Sequence, residues 1–168
     1  MKIKLFFFLF LLIITFGCSD GNGCVDRVTI PDNVEKTASG FTFTPSSWID
    51  LPCDYDLSNL LDVSEVSPNF SFEIVSFKFT PDTGKNTSKL EFEVKLTNNC
   101  NKSIEGLPIF IMRIDGVESS KNYIENTNNC TSFTVNETCN FNYSKETSLE
   151  TGKVKSLELV AVKFLLAK

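Results

Sequence analysis

The chain of 168 residues has room for one ordinary domain plus an address segment. It holds 16 Lys and Arg against 21 Asp and Glu, and this net charge of −5 argues against nucleic acid as a partner. There is no histidine and no C-x-x-C, so zinc ribbons, thioredoxin-like chemistry and haem attachment lack their ligands, and a Ser or Cys nucleophile lacks its usual base. No cofactor, no metal centre, no catalytic residue and no enzyme activity are expected.

Residues 1–17 come first. Lys2 and Lys4 precede an apolar run from Leu5 to Phe16 and then Gly17. A membrane-spanning helix needs roughly 20 apolar residues and a secretory h-region about 7–15, so this run reads as a signal peptide. Its removal leaves 14 basic residues against 21 acidic ones, a mature charge of −7. Gly17-Cys18-Ser19 resembles the end of a bacterial lipoprotein signal of the Bacteroidetes type, in which a small residue precedes a cysteine that is acylated and becomes residue one. Thr15 and Phe16 stand where that family has Leu and a small residue. The resemblance implies lipidation at Cys18 and, with Ser19 next, an outer-membrane destination. Anchoring by more than one acyl chain is firm. Residues 18–23 are polar and Gly-rich, as a tether between membrane and domain should be. Ordinary cleavage after Gly17 is the alternative.

Residues 24–66 read as an N-terminal arm packing on the domain. Trp48, beside Ser46, Ser47 and Asp50, either covers an edge of the core or stacks on a ligand. With Asp50, Asp54 and Asp56 it forms the candidate ligand-binding group. Asp54, Asp56, Ser58, Asp62 and Glu65 also fall at the first, third, fifth, ninth and twelfth positions of a calcium-binding loop, with Asn59 where Gly is required. Pro52 and Pro68 deny both flanking helices their room. A short capped helical turn with Leu57, Leu60 and Leu61 toward the core is therefore the preferred reading.

From about residue 67 the hydrophobic period is two. Strands are expected over 70–80, 89–98, 107–114, 121–126, 131–136, 139–145 and 154–166. Leu90, Phe92, Val94 and Leu96 alternate with Glu91, Glu93 and Lys95, the pattern of a half-buried strand. A parity change near Ile74 suggests a bulge. Ile109 to Met112 is apolar on both parities, as in a central strand, and Asp115-Gly116 should turn the chain after it. Eleven phenylalanines follow the signal and can fill the space between two sheets. The expected fold is an all-β, immunoglobulin-like antiparallel β-sandwich of about seven strands over 67–168, behind the signal peptide and tether.

Residues 89–145 resemble the immunoglobulin-like domains of small bacterial lipoproteins, including the family named for its Phe-x-Leu-Tyr-Asp motif. The matching pieces are LEFEVKLTNNCNKSIEGL, IFIMRIDGVESS and FTVNETCNFNY, with IMRID where the naming motif belongs. In that arrangement the fifth strand runs beside the second, which implies a Cys100–Cys130 disulfide, a buried free thiol at Cys139, and Cys24–Cys53 as the remaining pair. A Cys130–Cys139 hairpin bridge is the competitor; an unlipidated Cys18 restores three bridges. Six sequons (Asn69, Asn86, Asn101, Asn129, Asn136, Asn142) keep open a eukaryotic secreted glycoprotein, though Asn and Thr belong in turns anyway. The expected function is a non-catalytic lipid-anchored envelope protein. It would act as an interaction or structural module toward another envelope protein through sandwich-end loops such as 98–106, 115–121 and 126–131. The alternative is a glycan or small-ligand binder using Trp48 and Asp50–Asp62.

Overall fold

The structure, a computed structural model, describes residues 25–53, 64–124 and 130–168. Two sheets face each other. The strands β5 (Phe70–Thr80), β6 (Thr87–Asn98) and β10 (Thr138–Ser148) form one, in the order β10-β6-β5. The strands β7 (Ile104–Ile114), β8 (Val117–Lys121) and β11 (Leu157–Leu166) form the other, in the order β11-β7-β8, with the two-residue β9 (Ser132–Phe133) also on β7. All these pairings are antiparallel. The fold is an all-β sandwich, as the period-two pattern requires.

Local sequence accounts for most of the elements. Phe92, Val94 and Leu96 are buried while Glu91, Glu93 and Lys95 face outward. The bulge expected near Ile74 lies at Val75, where the register to β6 shifts. Asp115 and Gly116 take φ of 49° and 88° and join Ile114 to Val117 in a two-residue hairpin. Asn86 and Asn136 also adopt left-handed φ of 59°, which Asn tolerates better than most residues. Two of the six sequons thus sit at turn positions.

Between the sheets the rings of Phe92, Phe110 and Phe141 meet at centroid distances of 4.8 to 6.1 Å, with Tyr123 and Tyr143 against them. A second aromatic group, Phe70, Phe133 and Phe164, fills the other end. Each fully buried Phe stabilises the fold by about 1.5–3 kcal/mol.

Residues 25–52 form strands that alternation over the later chain did not suggest. β1 (Val25–Ile30) pairs with β4 (Ser47–Pro52), and β2 (Asn33–Thr37) pairs with β3 (Gly40–Thr44). The two ladders share one register, so they are the stem and tip of a single long hairpin. Pro31 and Pro45 interrupt it, each lacking the N–H that a ladder needs. At the break Asp32 accepts hydrogen bonds from Ser46 N and from Ser120 Oγ, both at 2.8 Å, which ties the hairpin to β8. The tip lies on the outer face of the second sheet, where Val34, Phe41 and Phe43 cover Leu107, Ile109 and Leu165. β7 is therefore buried on both faces, with Phe110 and Met112 inward and Leu107 and Ile109 under the hairpin.

The strand neighbours correct the disulfide scheme. The segment expected as a strand over 131–136 shrinks to β9, because Glu137 accepts from Thr134 Oγ1 at 2.9 Å and a turn through Asn136 ends the strand after Phe133. β9 pairs with β7, through Ile104 and Phe133, and the strand beside β6 is β10. The Cys100–Cys130 bridge is absent, and Cys139 is not a free thiol. The turn returns the chain so that Cys130 and Cys139 are bonded, with Cα atoms 5.8 Å apart. Among the described residues Cys100 is the free, buried thiol, its Sγ 3.4 Å from Ser67 Oγ. Cys53 is disulfide-bonded; the Cys24 half of the expected Cys24–Cys53 pair lies outside the described residues. Likewise, of the strand expected over 121–126 Lys121 ends β8 (Val117–Lys121), Tyr123 beyond it is a core residue, and 125–126 lie outside the described residues.

Non-reducing peptide mapping is expected to recover Cys130 and Cys139 in one linked pair, with Cys100 alkylated only after unfolding. Replacing both bonded cysteines with serine should lower stability by about 2.5 kcal/mol, the loop-closure value for so short a ring. The denaturant midpoint reads this directly.

Candidate functional site

The hairpin stem presents two different faces, because directly opposed residues of an antiparallel pair project to the same side. Val28, Ile30, Ile49 and Leu51 form a half-buried apolar face. Val25, Arg27, Thr29, Trp48, Asp50 and Pro52 form the other, and every one of them is exposed. Trp48 is 60% exposed, unusual for the largest apolar side chain in the repertoire.

Arg27 organises this face. It stands directly opposite Asp50, and its Nε and Nη2 donate to the two carboxylate oxygens at 3.0 and 3.4 Å. The same guanidinium lies over the Trp48 ring, 4.1 Å from its centroid. The hydrogen bond to Asp50 raises the Arg27 pKa above its usual value, with the charge of Asp50 adding to it. The reciprocal bond from Arg27 holds the Asp50 carboxyl below its usual value, against a smaller desolvation effect. The result is a preformed stack: a carboxylate fixes a cation, and the cation caps an indole. Tryptophan and arginine are among the residues most enriched where proteins bind each other.

The sequence-derived ligand group is only partly assembled here. Trp48 and Asp50 share the face, but Asp50 has both oxygens engaged by Arg27. Asp54 and Asp56 lie outside the described residues, as do Ser58 and Asp62 of the calcium candidate. Glu65 is exposed, and its backbone carbonyl accepts from Leu166 N at 2.8 Å. Among the described residues no group of three or more His, Cys, Asp or Glu is placed to hold a metal ion. Of the sandwich-end loops, 115–121 is largely the Asp-Gly turn and β8, and the end of 98–106 is the start of β7. Arg27 was missed in the sequence; the signal for it was a basic residue at the same distance from the hairpin centre as Asp50, visible only once the register is known.

The chain matches no family model, no curated protein and no solved structure.

Proposed function

We propose that this chain is a non-catalytic, lipid-anchored protein of the bacterial cell envelope, with the exposed face of its hairpin stem as the surface that engages another envelope protein. The observation that carries the reading is Trp48, 60% exposed and held by Arg27 on the hairpin stem. A large exposed aromatic that is already ordered loses little side-chain entropy on binding. The lipobox-like Gly17-Cys18-Ser19 supports the anchor, and so does the cysteine inventory. Cys130 is bonded to Cys139, Cys100 is sealed in the core, and Cys53 needs one partner only. This count leaves one of the two N-terminal cysteines over, which agrees with an acylated Cys18. The two antiparallel sheets support the sandwich itself, while β10 beside β6 departs from the immunoglobulin order, which has the fifth sandwich strand there.

A photo-crosslinking residue at Thr29 should give one discrete adduct in intact cells, lost when Trp48 is changed to alanine. The same residue at Glu73, on the sandwich, is the control. An identical adduct pattern from both positions, or one indifferent to Trp48→Ala, would overturn the reading. For the anchor, mass spectrometry of the membrane fraction should find an acylated N-terminal Cys18; an unmodified Cys18 there refutes it.

The second reading, a glycan or small-ligand binder, draws on the same indole. Asp50 is occupied by Arg27, so polar groups converging on a sugar are fewer at Trp48 than such a site needs. Titration of a glycan panel against Trp48 fluorescence should leave the emission unchanged.

A further inference from the structure

At the end of the sandwich remote from Cys130–Cys139, the two sheets part around a cavity of about 420 Å³. This falls within the range of roughly 300–1,000 Å³ typical of small-molecule sites. Its apolar lining comes from both sheets, with Leu90 on β6, Ile114 on β7 and Leu157 on β11, all half-buried. Tyr123 and Tyr143 meet edge to face in its wall, with centroids 4.6 Å apart. The charged residues in the lining are Lys121, Lys145 and Lys153, and there is no carboxylate among them. That is the reverse of the protein as a whole, which is acidic.

Two of these lysines break the strand pattern. Lys121 is directly opposite Phe110, and Lys145 continues the parity of Phe141 and Tyr143. Both therefore stand on the core-facing parity of facing sheets but toward the strand ends, where they remain exposed at the rim of the cavity. Among the described residues neither Lys121 nor Lys153 makes an ion pair. The wall carrying Lys153 is held in place: Asp115 Oδ1 accepts from Lys155 N at 2.9 Å and Ser156 N at 2.8 Å, while Leu149 N donates to Asn86 O at 3.0 Å. Burial, and then the neighbouring Tyr143, keep the Tyr123 phenol protonated far above neutral pH. It remains a hydrogen-bond donor to any anion that enters.

We propose that this cavity binds a small amphipathic anion, an apolar body carrying one carboxylate or similar head, with the body on Leu90, Ile114 and Leu157 and the head at the lysines. The site lies on different elements from the Trp48 face and stands independently of it. Its ligand is a free molecule rather than a bilayer, because the apolar residues lie recessed between two sheets behind a rim of lysines, where one chain fits and a flat surface does not.

Calorimetric titration of the mature chain with decanoate, decanol and decylamine tests this. Decanoate should bind at one site, and more tightly than decanol by about tenfold, the worth of one charge-assisted hydrogen bond. Decylamine should not bind. Lys121→Glu and Lys153→Glu, both at exposed lysines and so compatible with folding, should each weaken decanoate by about tenfold or more while leaving decanol unchanged. Equal binding of decanoate and decanol, or no heat at millimolar concentrations, would overturn the proposal. So would charge-reversal variants that keep decanoate affinity but self-associate, because core-parity lysines on the edge strands β8 and β10 would then only blunt those edges. Binding confined to anionic vesicles would likewise refute a free-ligand site.

Discussion

Replacing Asn98 with alanine is expected to lower the unfolding free energy by about 3 kcal/mol. Asn98 is fully buried at the end of β6, a rare place for a polar side chain. Its amide nitrogen donates to the carbonyls of Lys102 at 3.0 Å and Thr134 at 2.8 Å, and its Oδ1 accepts from Cys100 N at 2.9 Å. One side chain thus closes the 98–102 turn on itself and clamps it to the β9–β10 turn. Alanine removes all three hydrogen bonds, leaving the Cys100 N–H buried without its partner while the Thr134 carbonyl keeps Glu137 N at 3.3 Å, and each lost bond costs about 1 kcal/mol. Asn98→Asp should be worse at neutral pH, since it sets a carboxylate oxygen against those same two carbonyls. Burial beside them raises the folded pKa of that aspartate above its unfolded value. The penalty should therefore ease as pH falls through the folded value, when the protonated acid donates again. Urea titrations of both variants at neutral and mildly acidic pH measure the two effects.

The second large effect is expected at Gly106, in the β7 ladder opposite Leu166. A Cβ there would lie 1.9 Å from the carbonyl oxygen of Leu165, with the Leu165 carbonyl carbon at 2.8 Å. The obstruction is backbone, so no rotamer change relieves it. β11 must move, and β11 is held on its other side by Ser67 N donating to Phe164 O and Leu166 N donating to Glu65 O, both at 2.8 Å. Gly106→Ala should cost about 3 kcal/mol or more, the upper part of the range for overpacking. Marginal folds have only about 5–15 kcal/mol in total, so a lowered melting temperature and poor expression are the expected signs. Unchanged melting would mean that β11 yields where the hydrogen bonds say it is held.

A gentler test concerns acid. Backbone N–H groups of Ser156 and Lys155 donate to the Asp115 carboxylate and hold its pKa below the ordinary aspartate value. A depressed folded pKa contributes stability that is present above the unfolded value and is lost as pH falls through the folded one. The 153–156 wall of the cavity should therefore loosen only below the ordinary aspartate range, and Asp115→Asn should abolish that pH dependence. Amide exchange at Lys155 and Ser156 reports it.

Legibility in the sequence followed the range of the interactions. β6 was readable residue by residue, because Phe92, Val94 and Leu96 alternate with charges and burial obeys the alternation. The double-sided apolarity of Ile109 to Met112 announced a strand covered on both faces, but not the covering. That covering is a hairpin whose halves are broken by Pro31 and Pro45, and Arg27 and Asp50 across its stem are 23 residues apart. The acidic stretch drew attention by its local spacing, whereas Arg27 and Asp50 become one unit only in the hairpin register.

Alternation, turn chemistry and the absence of histidine by themselves determine an all-β chain with no histidine chemistry, with strand faces and the Asp115-Gly116 turn in place. These are local properties, since which side of a strand a residue faces depends on parity alone. Only the tertiary structure decides which strand lies beside which. That choice rests on contacts between residues far apart in the chain, and it moved the disulfide from Cys100–Cys130 to Cys130–Cys139, placed Arg27 over Trp48, and brought three lysines around one cavity.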